Sequence, residues 1–380
     1  MNLDIPEEIV AFRDSVRSFA EREIGPLVED AEEKQRTPLE LFPKAGSHGF
    51  LGLRYPEEVG GAGAGMLAEM TLRRELSRVS AGIASALSVS SHLGSYPIFA
   101  FGDPEQIDRW LKPILRGEKI TCFGLTEPSA GSDVRGIQST GRKTDSGWVL
   151  NGRKIFITNG PIADLALIVA YVDREAGIDG MAMFVVEQGT PGFDSSRRLE
   201  KMGHYSSEIG EITMEDVKVG ADSLLGPERG GFQRVMQTLN GGRIVVAGGS
   251  IGVAEAAFEV ARRYATEREA FGRKIEDFQA VQHKLADMAL DIQAAQQLTL
   301  WAAWLYDQGR NPTWEASMAK LYASEMVLRV TELGLRIFGG YGYIKEFPIE
   351  RFYRDARMFN IVEGVSDIHR NIIAKTIRNW

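Results

Sequence analysis

The sequence predicts an α+β protein in three parts: a helical N-terminal region, a middle domain of mostly antiparallel strands, and a C-terminal helix bundle. The spacing of apolar residues carries that prediction. It is three or four up to about Gly117, two from Ile120 to about Leu225, and helical again after Pro227. The expected domain boundaries are 1–119, 120–227 and 228–380.

In the first part, Ile9, Phe12, Val16 and Phe19 form one apolar helix face, and Pro26 ends or bends that helix. A second helical stretch covers residues 68–80. A third, GDPEQIDRWLKPIL (residues 102–115), opens with Asp103 as N-cap before Pro104. GGAGAG (residues 60–65) lacks the Gly-x-Gly-x-x-Gly spacing of a dinucleotide loop and reads as a connection.

The middle part carries turn signals at Asp145-Ser146-Gly147, at Asn151-Gly152, and near residues 177–180 and 189–192. LALIVAYV (residues 165–172) and MAMFVVE (residues 181–187) read as buried strands. Two stretches stand out here, CFGLTEPSAGSD (residues 122–133) and KIFITNG (residues 154–160). Period-two alternation puts Phe156 and Thr158 on one face, with Ile155 and Ile157 on the other. An aromatic plane beside a hydroxyl suits a flat heteroaromatic ligand that also needs hydrogen bonds. The small and hydroxyl residues of 126–133 let backbone amides approach an anion. The same residues also fit an ordinary hairpin with a half-buried Phe.

In the last part, Val281, Leu285, Met288, Ile292, Ala295, Thr299 and Ala302 mark one long helical seam. Leu321, Ser324, Leu328, Thr331, Leu335 and Phe338 mark a second. GGSIG (residues 248–252) matches the Gly-x-Ser-x-Gly nucleophile pattern, but its small residues fit close helix packing equally well. Near the end, Ser366 reads as the N-cap of a final helix with Ile368, Ile372 and Ile373 on its apolar side. Glu363 sits just ahead of that helix between apolar neighbours. It is either a solvated loop carboxylate or a general base whose pKa is raised by desolvation.

Composition narrows the function. The 380 residues are 44% hydrophobic and 25% charged, ordinary for a globular protein. The net charge of −8 opposes nucleic-acid phosphates and anionic lipid. The five histidines show no metal-ligand spacing. One cysteine, Cys122, gives no intrachain disulfide and fits a reducing compartment. The acidic start MNLDIPEEIV is not of signal type, and no apolar run reads as a membrane span, so a cytoplasmic location is expected.

TEPSAGSD followed by NGRKIFITNG resembles the flavin-binding signature of the acyl-CoA dehydrogenases. FGGYGYIKEFPIERFYRDAR (residues 338–357) resembles the family's second signature, and the resemblance covers nearly the whole chain. It implies the acyl-CoA dehydrogenase fold with a C-terminal four-helix bundle. It also implies an FAD cofactor, an acyl-CoA substrate, electron-transfer flavoprotein as partner, and a homotetramer built as a dimer of dimers. Phe123, Leu125 and Thr126 would line the flavin, Ser132 its diphosphate region, and Phe156 and Thr158 the isoalloxazine. ATEREAFGRKIEDFQAVQ (residues 265–282) looks like the segment that reaches a neighbouring subunit's FAD, with Arg268 at the diphosphate and Phe271 and Gln279 against the cofactor. Gly339 and Gly340 would approach that same cofactor. Arg336 stands where the family has Gln or an acid near the FAD, and Val365 replaces the usual Thr after Glu-Gly.

Glu363 matches the catalytic base of the majority of family members, and Gly242 occupies the alternative base position. The resemblance thus implies that Glu363 removes the α proton while the β hydrogen leaves as hydride to the flavin. The Glu363 backbone N–H and a ribityl hydroxyl would hold the thioester oxygen, and Arg243 would support the site. Relatives of altered outcome are oxidases, enoyl-CoA reductases and a non-catalytic DNA-binding protein; the acidic charge speaks against the last. In ELSRVSAGIASALSVSSHL (residues 75–93), Ser88 matches a serine with which glutaryl-CoA dehydrogenases hold the substrate's distal carboxylate. Ala84 stands where their arginine would be. That absence predicts a neutral acyl chain.

Overall fold

A computed structural model describes residues 6–378; the extreme N-terminal residues 1–5, part of the acidic start, lie outside the described residues. The N-terminal region is helical: α1 (Glu7–Phe19), α2 (Val28–Lys34), α3 (Leu41–Ser47), α4 (Gly65–Val79), α5 (Ala81–Ser88), α6 (Tyr96–Phe101), α7 (Pro104–Gln106) and α8 (Lys112–Leu115). Val16 and Phe19 of α1 are buried; α1 ends at Phe19, before Pro26, which sits in a single 3-10 turn (Gly25–Leu27) ahead of α2. Asp103 caps α7 in a reciprocal box: its carboxylate accepts from the Gln106 N–H, and the Gln106 side chain accepts from the Asp103 N–H.

The middle domain is a seven-stranded mixed sheet of β1 (Thr121–Gly124), β2 (Thr140–Thr144), β3 (Gly147–Thr158), β4 (Leu165–Tyr171), β5 (Met181–Glu187), β6 (Phe193–Asp194) and β7 (Ile209–Gly220). Antiparallel pairing dominates, while β1 and β2 both run parallel to β4. The chain from β1 therefore crosses to β2 through the long loop 125–139, which carries the TEPSAGSD motif. Asn151-Gly152 is not a turn. It lies inside β3 at a bulge against β7, where Gly152 has φ +146° and a β-carbon would fall 2.2 Å from the Ser139 hydroxyl.

The C-terminal region holds α9 (Gly231–Glu267), a two-stranded ribbon of β8 (Glu269–Ala270) and β9 (Arg273–Lys274), then α10 (Gln279–Asp307), α11 (Thr313–Phe338), α12 (Ile349–Phe359) and α13 (Ser366–Ile377). Met288, Ile292, Ala295, Thr299 and Ala302 of α10 are buried, as their spacing predicts. On α11 the expected seam is only partly the buried one: Ser324, Thr331 and Phe338 are buried, while Leu321, Leu328 and Leu335 are half-buried. A second buried stripe runs through Ala316, Ala319, Lys320, Ala323, Val327, Val330 and Gly334. α11 packs against α9, α10, α12 and α13, so more than one of its faces is covered.

GGSIG is helix interior. Ser250 is fully buried and its hydroxyl donates to the Val246 carbonyl at 3.0 Å. A β-carbon at Gly252 would fall 2.0 Å from the Arg74 carbonyl, so the small residues let α4 and α9 cross in close contact. α9 is also long and apolar enough to span a membrane by length and composition, contrary to the sequence expectation. In the fold it is the core helix of the bundle, with 78% of its apolar window buried. Ser366 is the first residue of α13; the N-cap is Val365, with no side-chain cap, because the helix begins one residue earlier than expected.

Candidate active site

The first group of site residues is built on β1, β3 and the loop between β1 and β2. The Ile155 N–H donates to the Thr126 carbonyl at 3.0 Å, which ties KIFIT to TEPS. Below that bond lies an ion pair the sequence reading missed. Lys154, fully buried, places Nζ 2.7 Å from Glu127 Oε1 and 3.2 Å from the Leu125 carbonyl. Glu127 also accepts from the Ser139 hydroxyl and from the backbone N–H groups of Gln138 and Ser139. Its signal in the sequence is a lysine at a buried position of a strand. Burial pulls the Lys154 ammonium down to about 8 against the opposing pull of Glu127.

The strict alternation expected for KIFIT fails. Lys154 and Ile157 are the buried residues, Ile155 is half-buried, and the register against β7 shifts between Lys154 and Ile157. The shift throws Phe156 outward at φ +60° and 62% exposure, a costly state for an aromatic residue. Thr158 is half-buried two residues on, Phe123 is half-buried, Leu125 is buried, and Ser132 is exposed on the loop.

The second group surrounds Glu363. This residue adopts φ +53° in the turn between α12 and α13, which aims its carboxylate toward α9, and the residue as a whole is half-buried. Oε2 is out of solvent and has no hydrogen-bond partner within the protein. A β-carbon at Gly242 would fall 2.1 Å from Oε2, so only glycine leaves room for the carboxylate there. Desolvation raises the Glu363 carboxyl to about 7, against the lowering pull of Arg243, Lys320 and Arg73. Arg243 is buried; its Nη1 donates to Asn240 Oδ1 at 2.8 Å, and Asn240 is held by Asn311 and Thr313. Lys320 was also missed. It is fully buried on α11 and donates to the Gly364 carbonyl at 2.6 Å, which fixes the turn behind the base. Its signal was a lysine among alanines at helical spacing. A desolvated carboxyl with its pKa raised to about 7, beside Arg243, Lys320 and Arg73, is suited to accept a proton near neutral pH. Val365, half-buried, follows this turn.

The third group lies at the far end of α9. Arg268 is exposed with its guanidinium 5.5 Å from the Tyr341 ring centroid, beside an open depression of about 510 Å³ lined also by Gly339 and Gly340. No atom lies within 4 Å of a β-carbon built on either glycine. Phe271 is 96% exposed at φ +52°, and Gln279 is exposed at the start of α10. Arg336 pairs with Glu332 one turn back on α11 at 2.5 Å. Gly242 and Arg268 are 26 residues apart on α9, or ~39 Å at a helix's rise per residue. The structure therefore does not bring this group to Glu363 within one chain.

The residues fit a flavin dinucleotide. Phe156 offers an exposed aromatic face and the 126–133 loop exposed hydroxyls. The Arg268 depression offers an unpaired cation beside glycines where a side chain would fill the space.

Family models match the chain in three blocks: acyl-CoA dehydrogenase N-terminal domain over residues 6–118, middle domain over 122–217 and C-terminal domain over 229–378. An acyl-CoA dehydrogenase of Bacillus subtilis is 40% identical over 98% of this chain and 98% of its own. Subunit CarC of the caffeyl-CoA reductase-Etf complex of Acetobacterium woodii is 41% identical, covering 97% of each chain. Among solved structures, butyryl-CoA dehydrogenase from Megasphaera elsdenii superposes with a TM-score of 0.96 at 38% identity, covering 99% of this chain and 100% of that one.

Proposed function

We propose, because the chain belongs to the acyl-CoA dehydrogenase family, that it catalyses FAD-dependent α,β-dehydrogenation of an acyl-CoA thioester with Glu363 as the base. The observation that carries this reading is the Glu363 carboxylate: its Oε2 is out of solvent without a partner, it is aimed at Gly242, and desolvation raises its pKa to about 7. When bound, FAD supplies the two-electron acceptor. Phe123, Leu125, Thr126, Ser132, Phe156 and Thr158 would hold it.

The protein's own groups do the rest. Glu363 Oε2 takes the α proton. The Glu363 backbone N–H donates to the thioester oxygen, stabilises the charge that develops there and acidifies that proton. Arg243, held by Asn240, and Lys320, held by the Gly364 carbonyl, favour the ionised base over its protonated form.

The test is direct. The purified protein is expected to be yellow with about one FAD per chain, and one of a panel of acyl-CoA thioesters is expected to bleach it anaerobically. A colourless protein that FAD cannot reconstitute refutes the reading. Electron-transfer flavoprotein is the proposed acceptor, supported by the relative that acts in an Etf complex. That relative is named a reductase, which favours a second reading in which the same site runs as an enoyl-CoA reductase. Flavin reduced chemically and reoxidised by an enoyl-CoA faster than an acyl-CoA bleaches it would select the second.

The ~39 Å between Gly242 and Arg268 supports an assembly in which the Arg268 group of one chain serves the cofactor of another; the homotetramer is the form the family resemblance implies. Arg268→Ala is expected to lower FAD retention in an assembly larger than a monomer. Sedimentation as a monomer with full FAD content would contradict this.

A further inference from the structure

One of the cations that pull on Glu363 carries donors that nothing among the described residues satisfies. Arg73 of α4 is 4% exposed, its Nη2 donates to the Ser85 hydroxyl at 2.7 Å, and its Nε and Nη1 have no partner. Ser77, one turn on, has a buried hydroxyl that is also unpartnered. Both point at one place on α9: a β-carbon at Gly249 would fall 2.8 Å from Arg73 Nε and 3.2 Å from Ser77 Oγ. Among the described residues no carboxylate lies within ion-pair distance of Arg73. Glu69, one turn back on α4, is turned to Arg54 at 3.5 Å and His92 at 3.3 Å. Three dry donors without an acceptor are costly to fold and match the two oxygens of a carboxylate.

Their position relates them to the base. Gly242 faces the Glu363 carboxylate and Gly249 faces Arg73, seven residues on and therefore on the same face of α9. The separation is ~10 Å along the helix, with Val245 between and lining the same small cavity as Arg73, Ala84 and Ser88. Allowing ~3 Å from Glu363 to the α carbon and ~3 Å from a carboxylate to the guanidinium leaves ~4 Å, about three carbon–carbon bonds.

We propose that Arg73 and Ser77 bind a second carboxylate at the far end of the acyl chain, so that the preferred substrate is the CoA thioester of a short dicarboxylic acid of about five carbons. The cation missing at Ala84 is supplied by α4, and the neutral chain expected from Ala84 alone is not the preferred one. This inference rests on the acyl-CoA reading.

Glutaryl-CoA and pentanoyl-CoA test it, since they share chain length and differ in a terminal carboxylate against a methyl. Calorimetric titration of the FAD-loaded Glu363→Gln protein measures binding without turnover. Glutaryl-CoA is expected to bind at least ~30-fold more tightly, the scale of a desolvated charge pair. Arg73→Met in the same background is expected to reverse the order, weakening glutaryl-CoA and tightening pentanoyl-CoA. Equal or tighter pentanoyl-CoA binding before that change overturns the proposal. So does an Arg73→Met protein that loses both ligands alike with its FAD retained. If Arg73→Met does not fold, the order in its parent decides alone. Failure of the dehydrogenase reading looks different: the native flavin is bleached by neither thioester, whichever of them binds.

Discussion

Glu363→Gln is expected to keep FAD and acyl-CoA bound while slowing flavin reduction by roughly 10²–10⁴-fold, the scale for removing a general base. Gln preserves the shape of the side chain beside Gly242 but cannot take a proton. The pH profile separates this from a structural defect. Burial raises the Glu363 carboxyl from 4.5 to about 7, so the native bleaching rate should climb with pH through about 7 and then level. The residual rate of the variant should lack that step. Stability should move the opposite way. A carboxyl whose folded pKa lies above its unfolded value favours folding below about 4.5, and that contribution is lost as pH rises through about 7. The Gln variant should therefore be the more stable protein at pH 8, by something on the order of 3 kcal/mol, and little changed at pH 4. Near-native bleaching by the variant would move the base elsewhere in the chain.

The three-part architecture was legible because helix and strand spacing are local properties of the chain. The failures were of another kind. Asn151-Gly152 reads as a turn from its dipeptide, yet β3 continues through it because β7 pairs on both sides of the bulge. Phe156 was found, but its outward throw comes from a register shift that alternation does not reveal. Apart from the family resemblance, Glu363 could be singled out only by its place ahead of the last helix and its neighbours Ile361 and Val362. Its actual environment comes from α4, α9 and α11, 290 residues away along the chain for Arg73 and 120 for Arg243. The charges inside apolar stripes, Arg73, Lys154 and Lys320, were visible as exceptions to their patterns. Which carboxylate or carbonyl each one meets depends on packing between elements, and no spacing rule supplies that.

Glu127→Ala carries the largest expected effect on stability. The variant leaves Lys154 fully buried with only the Leu125 carbonyl as acceptor, and it strips an acceptor from the Ser139 hydroxyl and from two backbone N–H groups. Breaking a buried pair from one side costs roughly 3–5 kcal/mol because the remaining charge is uncompensated. The loss falls where the cofactor is expected, since Glu127 lies between Thr126 and Ser132 and its partner lies two residues before Phe156. FAD content should therefore drop at temperatures where far-UV circular dichroism still reports a folded chain. Lys154→Met should cost less, because Glu127 keeps Ser139 and the amide donors. The double change to Met at both positions should recover part of the Glu127→Ala loss, as an apolar pair replaces a desolvated ionic one. Urea unfolding of the four proteins with FAD content measured alongside decides it. A Glu127→Ala protein within about 1 kcal/mol of the native one, in the range of exposed pairs, would mean that Lys154 finds water or another acceptor and that the pair does not hold the loop.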